Sequence, residues 1–293
     1  MVASPRVSGT VVALAFTSAL LSAVATVLIR AALQRYGPYT GVWLNVLVGT
    51  VVFWLVLAVS GGPGRPPATS IAFFVLAGLI GTVGGRLFRF MSIETVGPSI
   101  SAALINLNPL VSTTLAVVLL GEHVTLPILA GTLVIVAGTT LLSIGGKAVG
   151  VRPAQLVVPL LSATCFGVVA VLRKLGLGGA GPIVGMATNV TTALVVFTAF
   201  LVVSGQATVM RCRGRSLLYF VAAGVAENVG VFLVIVALNI GAVSIVAPLT
   251  IISPIFVLLL SFFFLRGLEI LNKRLVLGSV LIVLGIYLII AFK

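Results

Sequence analysis

The chain has 293 residues, of which 60% are hydrophobic and only 7% charged, and its mean hydropathy is +1.35. A soluble domain needs a polar exterior with about a quarter of its residues charged, so this composition excludes a soluble globular protein and indicates that lipid is the solvent. The net charge of +13 does not indicate a nucleic-acid partner, because Lys and Arg collect in the loops of membrane proteins and no basic run is interleaved with aromatics.

Ten apolar segments follow one another along the chain, separated by short loops rich in Gly, Pro or Arg. About twenty apolar residues at a rise of 1.5 Å each cross the hydrocarbon core of a bilayer. We therefore predict an all-α membrane protein with ten transmembrane helices and no attached soluble domain. The predicted spans are 10–30, 39–60, 70–91, 97–120, 126–144, 155–174, 182–204, 216–238, 241–265 and 274–292.

An ordered set of residues occurs twice: a proline in the middle of a span, then a glutamate, then glycines nine and sixteen residues after that glutamate. The first set is Pro109, Glu122, Gly131 and Gly138, and the second is Pro254, Glu269, Gly278 and Gly285. This repeat predicts two five-helix domains, 1–146 and 147–293. Because five is odd, the second copy must enter the bilayer upside down, and such inverted repeats are typical of alternating-access transporters.

These motifs also carry a family resemblance. The segment Val117-Val118-Leu119-Leu120-Gly121-Glu122 and the glycines after each glutamate resemble the EamA-type domain of the drug/metabolite transporter superfamily, whose members usually have two tandem copies. The resemblance implies export of amino acids, nucleotide precursors, drugs or other metabolites, without a cofactor. The second copy departs from the pattern at Leu265-Arg266-Gly267-Leu268-Glu269, which puts an equal role for the two glutamates in doubt.

Glu227 lies in the middle of the eighth span, next to Asn228. An ionised carboxylate at that depth costs several kcal/mol against lipid, so it should face a cavity or be protonated. Glu227 is therefore a candidate for proton coupling or for binding a substrate amine. The alternative is a structural role as the partner of an arginine or of an interhelical hydrogen bond.

Arg86 and Arg89 follow two glycines in the third span and lie one turn apart on one helix face. Guanidinium groups suit planar anions, so the pair predicts a site for a carboxylate or phosphate of a substrate. Snorkelling to the membrane interface, or ion pairing with Glu94 or Glu227, are the alternatives.

The fourth span combines Asn106 and Asn108 with Pro109, which removes a backbone donor and favours a kink. The ninth span has Ser253 and Pro254 at the matching place. Interrupted helices at corresponding positions of two repeats point to a binding site, although Asn and Ser also join helices. We predict that Asn106, Asn108, Ser253, Asn228 and the charged groups above form it.

Other polar residues are expected to be structural. Glu122 and Glu269 should cap helices or pair across loops. Arg173 and Lys174 end the sixth span as Arg30 ends the first, which favours interfacial anchoring. No phosphate loop, nucleophile triad or metal spacing occurs, so neither a cofactor nor a metal is predicted.

The sequence thus favours a secondary transporter for a small solute. We expect it in the plasma or inner membrane, as a monomer or homodimer. A proton is the candidate coupling ion. An intramembrane enzyme acting on lipids and a channel-like pore are the rival classes. Orientation stays open: loops after odd-numbered spans carry twelve basic residues against five elsewhere, which places both termini outside the cytoplasm, whereas the family resemblance implies cytoplasmic termini.

Overall fold

A computed structural model of the chain describes residues 8–32, 35–96, 104–143, 153–253, 255–256, 260 and 273–291. All regular structure within these ranges is helical, which confirms the all-α prediction for the described part of the chain. The α-helices are α1 (Gly9–Ala32), α2 (Pro38–Val59), α3 (Ala68–Ala77), α4 (Arg86–Val96), α5 (Asn108–Leu120), α6 (Leu126–Ser143), α7 (Val157–Gly176), α8 (Pro182–Val203), α9 (Arg215–Ile240), α10 (Val243–Thr250) and α11 (Lys273–Ala291).

Six helical segments are each long and apolar enough to cross a membrane: α1, α2, the continuous α3–α4 segment, α7, α8 and α9. Shorter apolar helices occur at Asn108–Leu120, Leu126–Leu141 and Leu277–Ala291. The chain is therefore a multi-pass membrane protein, and the total of ten crossings stays a prediction.

A π-helical segment, Gly78–Gly85, joins α3 to α4. It packs against α7 and α8 so closely that a β-carbon at Gly78 would lie 2.6 Å from the backbone carbonyl oxygen of Asn189. Glycine is needed at this position because no side chain fits between the helices. The segment ends directly before Arg86, so it sets the height and direction of the arginine pair on α4.

Two of the predicted spans are broken in the described residues. In the fourth, residues 104–105 are helical, 106–107 form a turn, and α5 begins at Asn108 with Pro109 in its first turn, where proline is tolerated. In the ninth, α10 ends at Thr250, 251–252 form a turn and Ser253 is helical again. The expected kink at Pro109 is thus a two-residue break. Pro254, its predicted counterpart, lies outside the described residues.

The helices of the two copies pair as an approximate twofold relation requires. Corresponding helices contact each other in three pairs: α2 with α8, α5 with α10, and α6 with α11. The first helix of each copy instead contacts the third span or its equivalent in the other copy, α1 with α9 and α7 with α3. Both copies therefore contribute to every layer of the bundle.

Residue pairs along these contacts give the relative direction of the copies. A β-carbon on Gly131 would lie 2.6 Å from the carbonyl oxygen of Gly285, and one on Gly138 would lie 2.7 Å from that of Gly278. The earlier glycine of α6 thus faces the later glycine of α11, so the two helices run antiparallel.

The contacting helices α2 and α8 also run antiparallel. Trp43 Nε1 donates to Thr198 Oγ1 at 3.0 Å, and Trp54 Nε1 donates to Thr191 Oγ1 at 2.8 Å. Equivalent helices run in opposite directions in both contacts, which confirms the predicted inverted repeat.

Candidate functional site

A cavity of about 220 Å³ lies where the π-helical segment, α4 and α5 of the first copy meet α7, α9 and α10 of the second. Its wall has as many polar as aliphatic residues, with one aromatic ring from Phe166. Its polar lining residues are Thr82, Arg86, Arg89, Asn108, Arg173, Glu227 and Thr250. Three guanidinium groups and one carboxylate therefore surround a small space between the inverted halves.

Arg86 and Glu227 meet across the two copies at this cavity. Arg86 Nη2 lies 3.3 Å from Glu227 Oε1, and the two side chains are 14% and 20% exposed. Asn45, from α2, bridges them: its Oδ1 accepts a hydrogen bond of 2.7 Å from Arg86 Nη1, and its Nδ2 donates one of 2.7 Å to Glu227 Oε2. One buried amide thus fixes the orientation of both charged groups.

Asn228 supports this cluster from behind. Its Nδ2 donates to the backbone oxygen of Asn45 at 2.9 Å and to that of Gly224 at 2.8 Å. A β-carbon on Gly49 of α2 would lie 2.5 Å from Asn228 Oδ1, so α2 approaches this side chain too closely for any residue except glycine. Asn228 is 2% exposed and contacts α2 instead of the cavity, which makes it a positioning residue.

A second cluster is centred on the side-chain amide of Asn189. Asn189, on α8, donates from Nδ2 to Thr82 Oγ1 at 3.1 Å and accepts from Arg173 Nη2 at 3.5 Å. Asn189 is 1% exposed. Among the described side chains no carboxylate lies within ion-pair distance of Arg173.

Two further charges hold the turn between α9 and α10, next to the cavity. Lys174 Nζ donates to the carbonyl oxygens of Leu238 at 2.6 Å and Gly241 at 2.8 Å, at the end of α9. The two carboxylate oxygens of Glu122 accept from the backbone N–H groups of Val243 at 2.7 Å and Ser244 at 3.0 Å, at the start of α10. Each charge complements the helix end that it contacts. Glu122 is thus a cap, as expected; Glu269 lies outside the described residues.

The structure brings four of the predicted site residues to the cavity wall: Arg86, Arg89, Asn108 and Glu227. Asn106 and Ser253 are not among the described residues of that wall, so their part in the site stays a prediction. Asn106 lies within the break itself, off the helix face that carries Asn108. Ser253 follows the second break, whereas the wall contributed by this span comes from α10, before the break.

Sequence reasoning missed two residues of the site. Arg173 was expected at the membrane interface but lines the cavity, because α7 packs against the π-helical segment and α9. Asn45 was not singled out at all. A signal existed: Asn45 comes seven residues after Pro38 and Asn189 seven residues after Pro182, and both prolines follow a glycine.

Comparison with known proteins decides the family. The model of the EamA-like transporter family matches residues 9–144 and again residues 154–291. The chain belongs to the EamA-like transporter family. As a member with two EamA domains, it is a membrane transporter of the drug/metabolite transporter superfamily and acts on a small molecule in a lipid bilayer; the family is one of transporters and not of enzymes.

Solved structures share the fold of this EamA-like protein. One crystal structure, titled only as that of a protein, superposes with a TM-score of 0.79 at 18% identity and covers 96% of each chain. That likeness concerns the fold alone. No curated protein sequence matches the chain. No group of three metal-ligating side chains occurs among the residues that the structure describes.

Proposed function

We propose that this EamA-like protein is a secondary transporter of the plasma or inner membrane that exports a small organic anion or zwitterion by alternating access. Its ten spans form two inverted five-helix units, residues 1–146 and 147–293. The observation that carries the proposal is the cavity between the halves, where both copies supply charged side chains.

The inverted arrangement supports alternating access on physical grounds. Two copies of one unit, related by an approximate twofold, have two arrangements of similar energy, one open to each side. The broken fourth and ninth spans adjoin the cavity through Asn108 and through Val246, Ala247 and Thr250. Breaks at these places free backbone groups that a hydrated cavity satisfies.

The size of the cavity favours a metabolite over a drug-like solute. Pockets for drug-sized ligands have volumes of about 300–1,000 Å³. The cavity, at about 220 Å³, is smaller. Its three arginines outnumber its one glutamate, so a solute with at least one carboxylate or a similar anionic group balances the charge.

Glu227 is the group that we propose for proton coupling. Its carboxylate is the only acidic group on the described cavity wall and lies between Arg86 and Asn45. A proton and the ammonium group of a zwitterionic solute compete for this carboxylate. Protons that enter along their gradient therefore release the solute on the outer side, which drives export.

Counterflow in proteoliposomes tests the proposal. Vesicles loaded with an unlabelled amino acid or small organic acid should take up the same solute in labelled form faster than empty vesicles do. This uptake should saturate as the external concentration of the labelled solute rises. Glu227→Gln should abolish the response to a pH gradient, whereas Arg65→Gln, in an exposed loop, should leave it intact. Flux without acceleration by internal solute would identify a channel, and chemical change of the solute an enzyme; either result rejects the carrier.

A further inference from the structure

The two clusters around Asn45 and Asn189 have matched amides and matched acceptor positions in the repeat, but they are unequal in charge. Asn45 and Asn189 occupy matched positions, seven residues after Pro38 and Pro182. Each uses its Nδ2 to reach the opposite copy, Asn45 to Glu227 and Asn189 to Thr82. Each also accepts a hydrogen bond from an arginine at its Oδ1.

The residues that receive the amide donors are matched as well. Thr82 lies 27 residues before Pro109, and Glu227 lies 27 residues before Pro254. In one cluster the matched position is therefore a carboxylate, which neutralises Arg86. In the other it is a hydroxyl, which leaves the guanidinium of Arg173 without a charge partner among the described side chains.

Arg173 is also poorly satisfied in its hydrogen bonds. Its hydrogen bond to Asn189 Oδ1 is long, at 3.5 Å, and its Nε is buried without a partner in the part of the chain that the structure describes. A buried guanidinium with free donors is unfavourable unless something completes its shell. Because Arg173 lines the cavity, a molecule held there can accept hydrogen bonds from its guanidinium.

We propose that Arg173 is the residue that binds the carboxylate of the transported solute, with Asn189 as its positioning residue. The solute carboxylate lies beside Thr82 and neutralises Arg173, as the Glu227 carboxylate neutralises Arg86 in the other cluster. A planar carboxylate accepts two parallel hydrogen bonds from a guanidinium, which the Thr82 hydroxyl supplements. The assignment rests on the proposed transport function, because the same cavity must take up and release the solute.

Three four-carbon probes of different charge test the assignment by calorimetric titration of the purified chain in nanodiscs. Succinate should bind, whereas neutral succinamide and cationic 1,4-diaminobutane should not. Arg173→Gln should weaken succinate binding by about tenfold or more, since a hydrogen bond to a charged group contributes at least 1.4 kcal/mol, or one factor of ten. Arg173→Lys keeps the charge but loses the planar fork, so its affinity for succinate should lie between those of wild type and Arg173→Gln.

Two further variants separate the site from general charge effects. Asn189→Ala should weaken binding of succinate less than Arg173→Gln does, and Arg65→Gln should not change it. Circular dichroism and gel filtration of each variant establish that it is folded. The assignment is overturned if wild type binds succinate no better than succinamide, or if folded Arg173→Gln keeps the wild-type affinity.

Counterflow with labelled succinate distinguishes failure of the site from failure of the transport function. If succinate binds at Arg173 but no solute shows counterflow, the carrier proposal fails and the binding site stands. If other solutes show counterflow at the wild-type rate in Arg173→Gln, the carrier proposal stands and the site assignment fails.

Discussion

Arg86 Nη2 and Glu227 Oε1 lie 3.3 Å apart, and the two residues come from opposite copies of the repeat. Because Asn45 also contacts both, the ion pair joins three helices at the cavity. Removing one partner leaves the other charge inside the bundle without its ion pair. The pair should therefore show energetic coupling.

A double-mutant cycle measures that coupling. Arg86→Met and Glu227→Gln should each destabilise the protein by about 1–3 kcal/mol, and the double variant should be less destabilised than the sum of the two. Thermal unfolding in one detergent provides the comparison, with exposed Arg65→Gln as the control. Additive losses would mean that the two residues do not stabilise each other.

The glycine contact between α6 and α11 predicts a strong effect of a single methyl group. At Gly138 a β-carbon would lie 2.7 Å from the carbonyl oxygen of Gly278, which is backbone and cannot move aside alone. Gly138→Ala should lower stability by about 1–3 kcal/mol through overpacking. Gly84→Ala is the matched control, because its β-carbon would meet only Leu79 O at 3.6 Å. Equal melting temperatures for the two variants would contradict the close packing.

The cap at the start of α10 predicts a graded series at Glu122. Glu122→Ala removes the acceptor for the N–H groups of Val243 and Ser244 and should cost about 1–2 kcal/mol. Glu122→Gln retains one acceptor oxygen and should cost less. His123→Ala, an exposed neighbour, should cost nothing measurable. Chemical unfolding of the three variants gives the order; a loss for His123→Ala equal to that of Glu122→Ala would count against the cap.

Arg173 predicts a gain of stability on mutation. In the absence of solute its guanidinium has no charge partner among the side chains that the structure describes, so Arg173→Met should raise the melting temperature of the empty protein while it impairs transport. Thermal unfolding with and without succinate separates the two effects. A lower melting temperature for the empty variant would show that Arg173 has a structural partner.

The natural Cys212 reports the orientation of the chain. Cys212 lies in the loop between α8 and α9, beside Arg211 and Arg213. With Arg86, Arg89 and Arg173 assigned to the cavity, ten basic residues follow odd-numbered spans against four elsewhere, which predicts that this loop faces the cytoplasm. In a Cys165→Ser background, an impermeant maleimide should label inside-out vesicles and not intact cells. Labelling of intact cells instead would reverse the orientation.

The pH dependence of that labelling follows from the surroundings of Cys212. Burial raises the pKa of the Cys212 thiol, and its hydrogen bond with Tyr36 only partly opposes this. The thiolate is the reactive form, so the rate of labelling should be low at neutral pH and should continue to rise above the pH range of an ordinary thiol. A rate that levels off near the usual thiol pKa would contradict the burial effect.

The sequence was sufficient for features that depend on composition and spacing. Long apolar segments predicted the helices, and the matched prolines predicted the breaks that occur before Pro109 and after Thr250. Glu227 and Arg86 stood out because charges inside apolar spans are costly and need a reason. Gly131 and Gly138 lie at a close helix contact, which their spacing of two turns on one helix face favours.

Other features depended on three-dimensional neighbours. Asn45 is an ordinary polar residue within an apolar span, and only the approach of α9 shows that it organises two charges. Arg173 has the same position in its span as an interfacial anchor, and the difference lies in how α7 packs against its neighbours. The π-helical turn at 78–85 has no sequence signature beyond its glycines.

The mismatch between Thr82 and Glu227 has a consequence for how such a protein is encoded. A homodimer of identical five-helix subunits would place the same side chain at both positions, so two acids would face each other and compete for ionisation. Fusion into one polypeptide lifts that constraint, because each half then mutates independently. A single acidic group in the centre of a quasi-symmetric carrier requires two halves that differ in sequence, and a covalently joined duplicate provides them.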